Sequence, residues 1–168
     1  MDLRVTEKQR LIMDAMDMRK RLETALLELR DKDGHLFSNN VAERSFAARL
    51  AIYLQNAFPE YHVDADYNRL GDIPKKVQLP PECEGRRDSD GKSLALPDVI
   101  VHRRGADGPN LLVVEMKKTT NPDKGDCDRL RLRAFRDQLG YTFGALVICE
   151  TREGHAPNAV IADWGESP

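Results

Sequence analysis

The chain has no apolar stretch long enough to span a bilayer, and its first residues, Met1-Asp2-Leu3-Arg4, carry no apolar signal core. It also lacks an excess of charge of either sign. The 26 Lys and Arg against 28 Asp and Glu leave a formal net charge of -2. Bulk charge therefore does not announce a nucleic-acid partner, and any such binding has to come from a local basic surface. The three cysteines, Cys83, Cys127 and Cys149, form no CxxC pair, and His35, His62, His102 and His155 are scattered. Neither a structural zinc site nor a disulfide framework is expected, and a reducing cytoplasm fits these cysteines. Gly-rich phosphate loops, internal repeats and low-complexity tracts are missing. So are helix-turn-helix, zinc-finger and basic-zipper patterns, which argues against a pure DNA reader. The lone Trp164 makes no base-stacking platform.

What is present suits one domain, 1–168, with 40% hydrophobic and 32% charged residues. Ile12, Ala15, Met16, Leu22, Ala25, Leu26 and Leu29 recur at helical spacing. They predict an N-terminal accessory helix, Glu7 to Arg30, within residues 1–35. Ser38-Asn39-Asn40 reads as the start of a second helix, Val41 to Ala57, which Pro59 stops. A strand over Tyr61 to Tyr67 follows, then a polar stretch rich in Pro and Gly, 71–93, expected to be a mobile loop with a short hairpin. Further strands are expected over Pro97 to Arg103 and Leu111 to Lys117, joined by a turn containing two glycines. A helix capped by Asp126 should run to Leu139 and stop at Gly140. Strands over Thr142 to Cys149 and Val160 to Trp164 complete the order.

Three charged residues stand out against this background. Asp98 opens an apolar strand in Pro97-Asp98-Val99-Ile100-Val101, and Glu115 and Lys117 close another in Val113-Val114-Glu115-Met116-Lys117. Alternation puts Glu115 and Lys117 on one strand face, ~6–7 Å apart along the chain. The turn between the two strands predicts an antiparallel pair that sets Asp98 opposite Glu115. Two carboxylates brought together repel unless a cation neutralises them. Mg²⁺ (or Mn²⁺) is the expected cofactor, because it takes oxygen ligands and is held by one or two carboxylates plus phosphate and water. The metal set is then Asp98, Glu115 and the Met116 carbonyl, with Lys117 orienting the attacking water or neutralising phosphate charge. The plain alternative is a solvated strand end with a surface ion pair worth at most ~1 kcal/mol.

Pro97-Asp98, sixteen intervening residues and Glu115-Met116-Lys117 resemble the PD-(D/E)XK nuclease motif. The element order over 41–150 is similar to the core of that superfamily, helix–strand–strand–strand–helix–strand. Val63-Asp64-Ala65-Asp66-Tyr67-Asn68-Arg69 and His102-Arg103-Arg104-Gly105 resemble small stand-alone bacterial members. The resemblance implies an α/β, restriction-endonuclease-like domain, a mixed sheet flanked by helices, with an additional N-terminal helix. It implies a Mg²⁺-dependent phosphodiesterase, a nuclease for which DNA is favoured over RNA and endonucleolytic over exonucleolytic action, with both alternatives open. It also implies a fourth acidic residue from the first core helix, and Glu43 stands at the matching place. Asn40-x-x-Glu43 reads equally as a capping-box variant, and the two roles are compatible at a helix terminus. Gln138 and Tyr141 have two residues between them where the exonuclease branch has three, so they read as a polar helix residue and a packed aromatic.

Lys117 to Arg136 is rich in basic residues, and Arg129, Arg133 and Arg136 share a helix face. Beside a phosphate-cleaving site these three, with Lys118, are expected to contact the nucleic-acid backbone. Lys75, Lys76, Arg86, Arg87 and Lys92 are weaker candidates diluted by nearby acids. A homodimer would be the economical way to cut both strands. The rival expectation is an inactive nuclease-fold module that binds nucleic acid or regulates a partner.

Overall fold

The computed structural model describes residues 7–67, 69–70, 73–83, 91–94, 96–105 and 109–167. Three helices come first: α1 (Glu7–Lys32), α2 (Gly34–Ser38) and α3 (Glu43–Ala57). β1 (His62–Ala65) leads into four two-residue strands, β2 (Arg69–Leu70), β3 (Ile73–Pro74), β4 (Lys76–Val77) and β5 (Ser93–Leu94). A 3₁₀ turn, Pro81–Cys83, lies between β4 and β5. Then follow β6 (Val99–His102), β7 (Asn110–Lys118), α4 (Asp126–Leu139), β8 (Tyr141–Cys149) and β9 (Ala159–Glu166).

The fold is α/β, with a mixed five-stranded sheet in the order β1-β6-β7-β8-β9. β1–β6 and β6–β7 pair antiparallel, β7 and β8 are parallel across α4, and β9 returns antiparallel to β8. Helices cover both faces. On one, α1 and α3 contribute Leu22, Leu26, Phe46 and Leu50 to a core shared with Val99, Leu112 and Val114. On the other, Leu132 and Phe135 of α4 pack on Ile100, Val113 and Leu146. Covering both faces explains why β6 and the centre of β7 read as unbroken apolar runs rather than alternating ones. No helix among the described residues is long and apolar enough to cross a membrane.

Several sequence expectations are revised. The chain leaves α1 through an extra short helix, α2, and Asn40 then takes a left-handed φ of 48°, a conformation asparagine tolerates better than most residues. The second long helix consequently starts at Glu43, with Ala42 rather than a polar residue at its N-cap. At α4 the N-cap is Gly125 (φ 85°), and Asp126 is the first helical residue rather than the cap. Two small antiparallel pairings, β2–β3 and β4–β5, lie between Arg69 and Leu94 and overlap the stretch 71–93. Arg86 and Arg87 lie outside the described residues. The cysteine reading is corrected outright: Cys83 and Cys127 are joined by a disulfide, with Cα atoms 5.2 Å apart, and Cys149 is free and buried. Spacing alone concealed the pair because the 3₁₀ turn meets the first turn of α4 only after 44 residues of intervening chain. The cysteines therefore no longer argue for a reducing compartment.

Lys75 is not an accessible phosphate contact. It is buried, with Nζ 5.2 Å from the centroid of the Tyr67 ring and 5.4 Å from that of Tyr141. Burial lowers its pKa to about 8, with the Asp64 carboxylate acting in the opposite direction. An unfolded lysine keeps its proton up to about 10.4, so the burial penalty is fully present below about pH 8 and fades as pH rises between those values. Wild type is therefore expected to gain stability relative to Lys75→Met, by about 2 kcal/mol between pH 7 and pH 10. Urea titrations of both proteins at each pH measure it. A stability difference that does not change with pH would contradict the burial argument.

Candidate active site

Asp98, Glu115 and Lys117 converge at one end of the sheet, on the face that α4 covers. The β6–β7 register pairs Val99 with Val114, which brings Asp98, one residue before β6, beside Glu115. Asp98 Oδ2 accepts a hydrogen bond from the Met116 backbone N–H at 2.7 Å. This locks the aspartate onto β7, and it holds by its amide the same residue whose carbonyl was expected to ligate metal. Burial raises the Asp98 pKa to about 6, assisted by the negative charges of Glu43, Asp128 and Asp66, while the Met116 N–H pulls the other way.

Glu115 sits in an electrostatically unfavourable place. Its carboxyl is buried, and Oε1 has no hydrogen-bond partner among the described residues. Oε2 lies 3.7 Å from the Arg131 guanidinium. Burial, then the Asp98 charge, push its pKa well above the ordinary carboxylate value, against the pull of Arg131. Lys117 is buried on the same face, with Nζ 2.9 Å from Asp128 Oδ2 and 3.5 Å from Asp123 Oδ2. Burial acts to lower its pKa, but the Asp128 carboxylate more than compensates, and the net shift is upward.

Glu43, at the start of α3, does not close a capping box. Its Oε1 accepts from the Lys118 backbone N–H at 3.0 Å and from Asn121 Nδ2 at 2.9 Å. Asn40 instead uses Oδ1 to accept from Lys118 Nζ and Thr120 Oγ1, both at 3.0 Å. The capping interpretation is thus replaced by a tie between α3 and the end of β7, which holds Glu43 near enough to raise the pKa of Asp98. Asn40, Glu43, Lys118, Thr120 and Asn121 line a polar pocket of about 410 Å³ next to the carboxylates.

The basic helix face divides. Arg129 lies 3.5 Å from Asp163 of β9 and 3.6 Å from Asp126, and donates to the Lys124 carbonyl. Arg136 lies across Gly165 of β9, where an added Cβ would push its guanidinium aside. Arg129 and Arg136 are thus turned toward the β9 edge, while Arg133 is exposed. Gln138 binds Gln78, accepting from its N–H at 2.8 Å and donating to its carbonyl at 3.0 Å, and Tyr141 is packed in the core. His102 pairs with Asp64 at 2.7 Å, away from the carboxylate pair.

Two participants were not singled out from sequence: Asp128 and Arg131. Asp128 is buried and touches both Lys117 and Arg131. An acid in the first turn of a helix ordinarily reads as a complement to the helix dipole. The usable signal was position: Asp128, Leu132, Phe135 and Leu139 share the inward stripe of α4, where an acid needs a partner.

Among the described residues, no three His, Cys, Asp or Glu side chains form a ready metal-holding group. The donor chemistry nevertheless fits a hard divalent cation, since the orphaned Glu115 Oε1 and the repelling Asp98 carboxylate are both hard oxygen donors. No family model, curated protein or solved structure matches this chain.

Proposed function

We propose that this protein is a Mg²⁺-dependent nuclease that hydrolyses phosphodiester bonds in DNA, built on a restriction-endonuclease-like core. The order α3–β1–β6–β7–α4–β8, with an antiparallel β1-β6-β7 meander and a parallel β7–β8 pair, supports that core. The single observation that carries the reading is Glu115. It is a carboxylate buried without a full set of partners, beside a second carboxylate and a lysine. Such an arrangement costs stability in a purely structural protein, and a bound cation would relieve that cost.

Asp98 and Glu115 would hold the metal, with the Met116 carbonyl and Glu43 as further oxygen donors. When bound, the metal supplies charge to polarise a phosphoryl oxygen and to acidify water. The protein's own part is preorganisation. The Met116 N–H fixes Asp98, the Lys118 N–H and Asn121 fix Glu43, and the β6–β7 ladder fixes the separation of the two carboxylates. Lys117 presents an ammonium on the same face, where it orients the attacking water or neutralises charge on the phosphoryl oxygens. Lys118, from the adjoining polar pocket, and the exposed Arg133 are the groups best placed to contact the backbone of a bound strand.

The test is a substrate panel. Purified protein with Mg²⁺ or Mn²⁺ is expected to nick supercoiled plasmid and cut linear duplex DNA, with slower action on RNA and none in chelator. Absence of cleavage of every substrate with both metals would overturn the proposal.

A further inference from the structure

We propose that Asp128 is a positioning residue for Lys117: it holds the lysine ammonium in place for the reaction, and Arg131 in turn holds Asp128. This inference rests on the nuclease reading for its consequence in catalysis, and on geometry alone for the contact.

Asp128 is 1% exposed, and its ionic partners are both cations. A carboxylate that deeply buried persists as a charge only where cations answer it. Oδ2 faces Lys117 Nζ at 2.9 Å and Oδ1 contacts the Arg131 guanidinium. Arg131 also reaches within 3.7 Å of Glu115 Oε2, so a single chain of charges runs Lys117–Asp128–Arg131–Glu115 between β7 and α4. Asp123, the second carboxylate in ionic contact with Lys117, accepts a hydrogen bond from Nζ at 3.5 Å, but its side chain is 52% exposed. Asp128 is therefore the nearer and the more deeply buried of the two carboxylates paired with the ammonium.

Gly125 enters α4 with φ 85°, and a Cβ there would fall 3.0 Å from Leu146 Cδ2 and 3.5 Å from Asp128 Oδ2. A side chain at 125 would press on Leu146 and strain the turn. A free lysine side chain samples many rotamers, and fixing it before substrate arrives removes an entropic cost from the reacting complex. Asp128 engages the ammonium from the α4 side, and a lysine has three N–H donors to distribute.

The prediction is a non-additive cycle. Asp128→Asn, which keeps shape and removes charge, is expected to lower kcat at least about tenfold while KM and Mg²⁺ affinity stay within about twofold. In a Lys117→Ala background the same substitution should have no further effect, because a residue acting through Lys117 has nothing left to position. Asp128→Glu, which restores the carboxylate, should recover part of the rate, and thermal melting checks that each variant folds. A second readout needs no cleavage: acylation of lysines in metal-free protein, followed by mass spectrometry with exposed Lys124 as the internal reference. Lys117 should be protected in wild type, at least about tenfold more reactive in Asp128→Asn, and protected again in Asp128→Glu. Losses that simply add in the cycle, or Lys117 reacting equally fast in wild type and Asp128→Asn, overturn the inference. If wild type cleaves nothing, the nuclease reading fails by itself, and the acylation comparison still decides whether Asp128 holds Lys117.

Discussion

Glu115→Gln is expected to make the metal-free protein more stable, by about 1–3 kcal/mol at pH 7.5, while removing its response to Mg²⁺. The first half follows from burial. The wild-type carboxylate is buried next to Asp98, with Oε1 unpartnered and Arg131, then Lys117, in partial opposition. A neutral amide of the same shape removes the charge and its repulsion. The sign with pH follows from the raised pKa. A carboxyl whose folded pKa lies above its unfolded value carries no penalty in acid. The penalty grows as pH rises through the unfolded value of about 4.3 and is complete above the folded one. The advantage of Glu115→Gln should therefore shrink as pH falls toward about 4, and Asp98→Asn should behave alike over the interval up to about 6. Denaturant titrations across that range are the measurement. A variant less stable than wild type at neutral pH would show that Glu115 is a satisfied structural carboxylate.

The second large effect concerns Lys117. Lys117→Ala should bind Mg²⁺ and DNA within a few-fold of wild type yet cleave about 10²–10³ times more slowly, the usual loss when one preorganised transition-state donor is removed. Lys117→Arg should not restore the rate fully. Its planar fork cannot replace a point-like ammonium in a site shaped by Asp128 at 2.9 Å. The measurement is single-turnover cleavage with protein in excess of DNA, beside a binding isotherm. Unimpaired cleavage by Lys117→Ala would remove the lysine from the chemistry.

Much of the fold was legible because local signals and global packing agree. Of the stripe that foretold α1, Ala15, Leu22, Ala25, Leu26 and Leu29 are buried, whereas Met16 is exposed. The apolar runs of β6 and β7 foretold central strands, and the intervening turn foretold their antiparallel pairing. The trio of Asp98, Glu115 and Lys117 was legible for the same reason, since charges at the ends of buried strands conflict with burial. Partnerships made by long-range chain path were not legible. Cys83 meets Cys127, and Lys75 packs between Tyr67 and Tyr141, only once the segment before β5 folds over α4. Helical spacing showed that Arg129, Arg133 and Arg136 share a face, but not that β9 would carry Asp163 and a glycine opposite two of them. Asn40 and Glu43 have capping-box chemistry, yet the left-handed turn at Asn40 redirects both toward the end of β7.

Isothermal titration of Mg²⁺ into wild type and Glu115→Gln tests most directly whether these carboxylates form a metal site. One millimolar-range Mg²⁺ site per chain in wild type, lost in the variant, is the predicted result. No binding heat in wild type, or the same isotherm in both proteins, would contradict it.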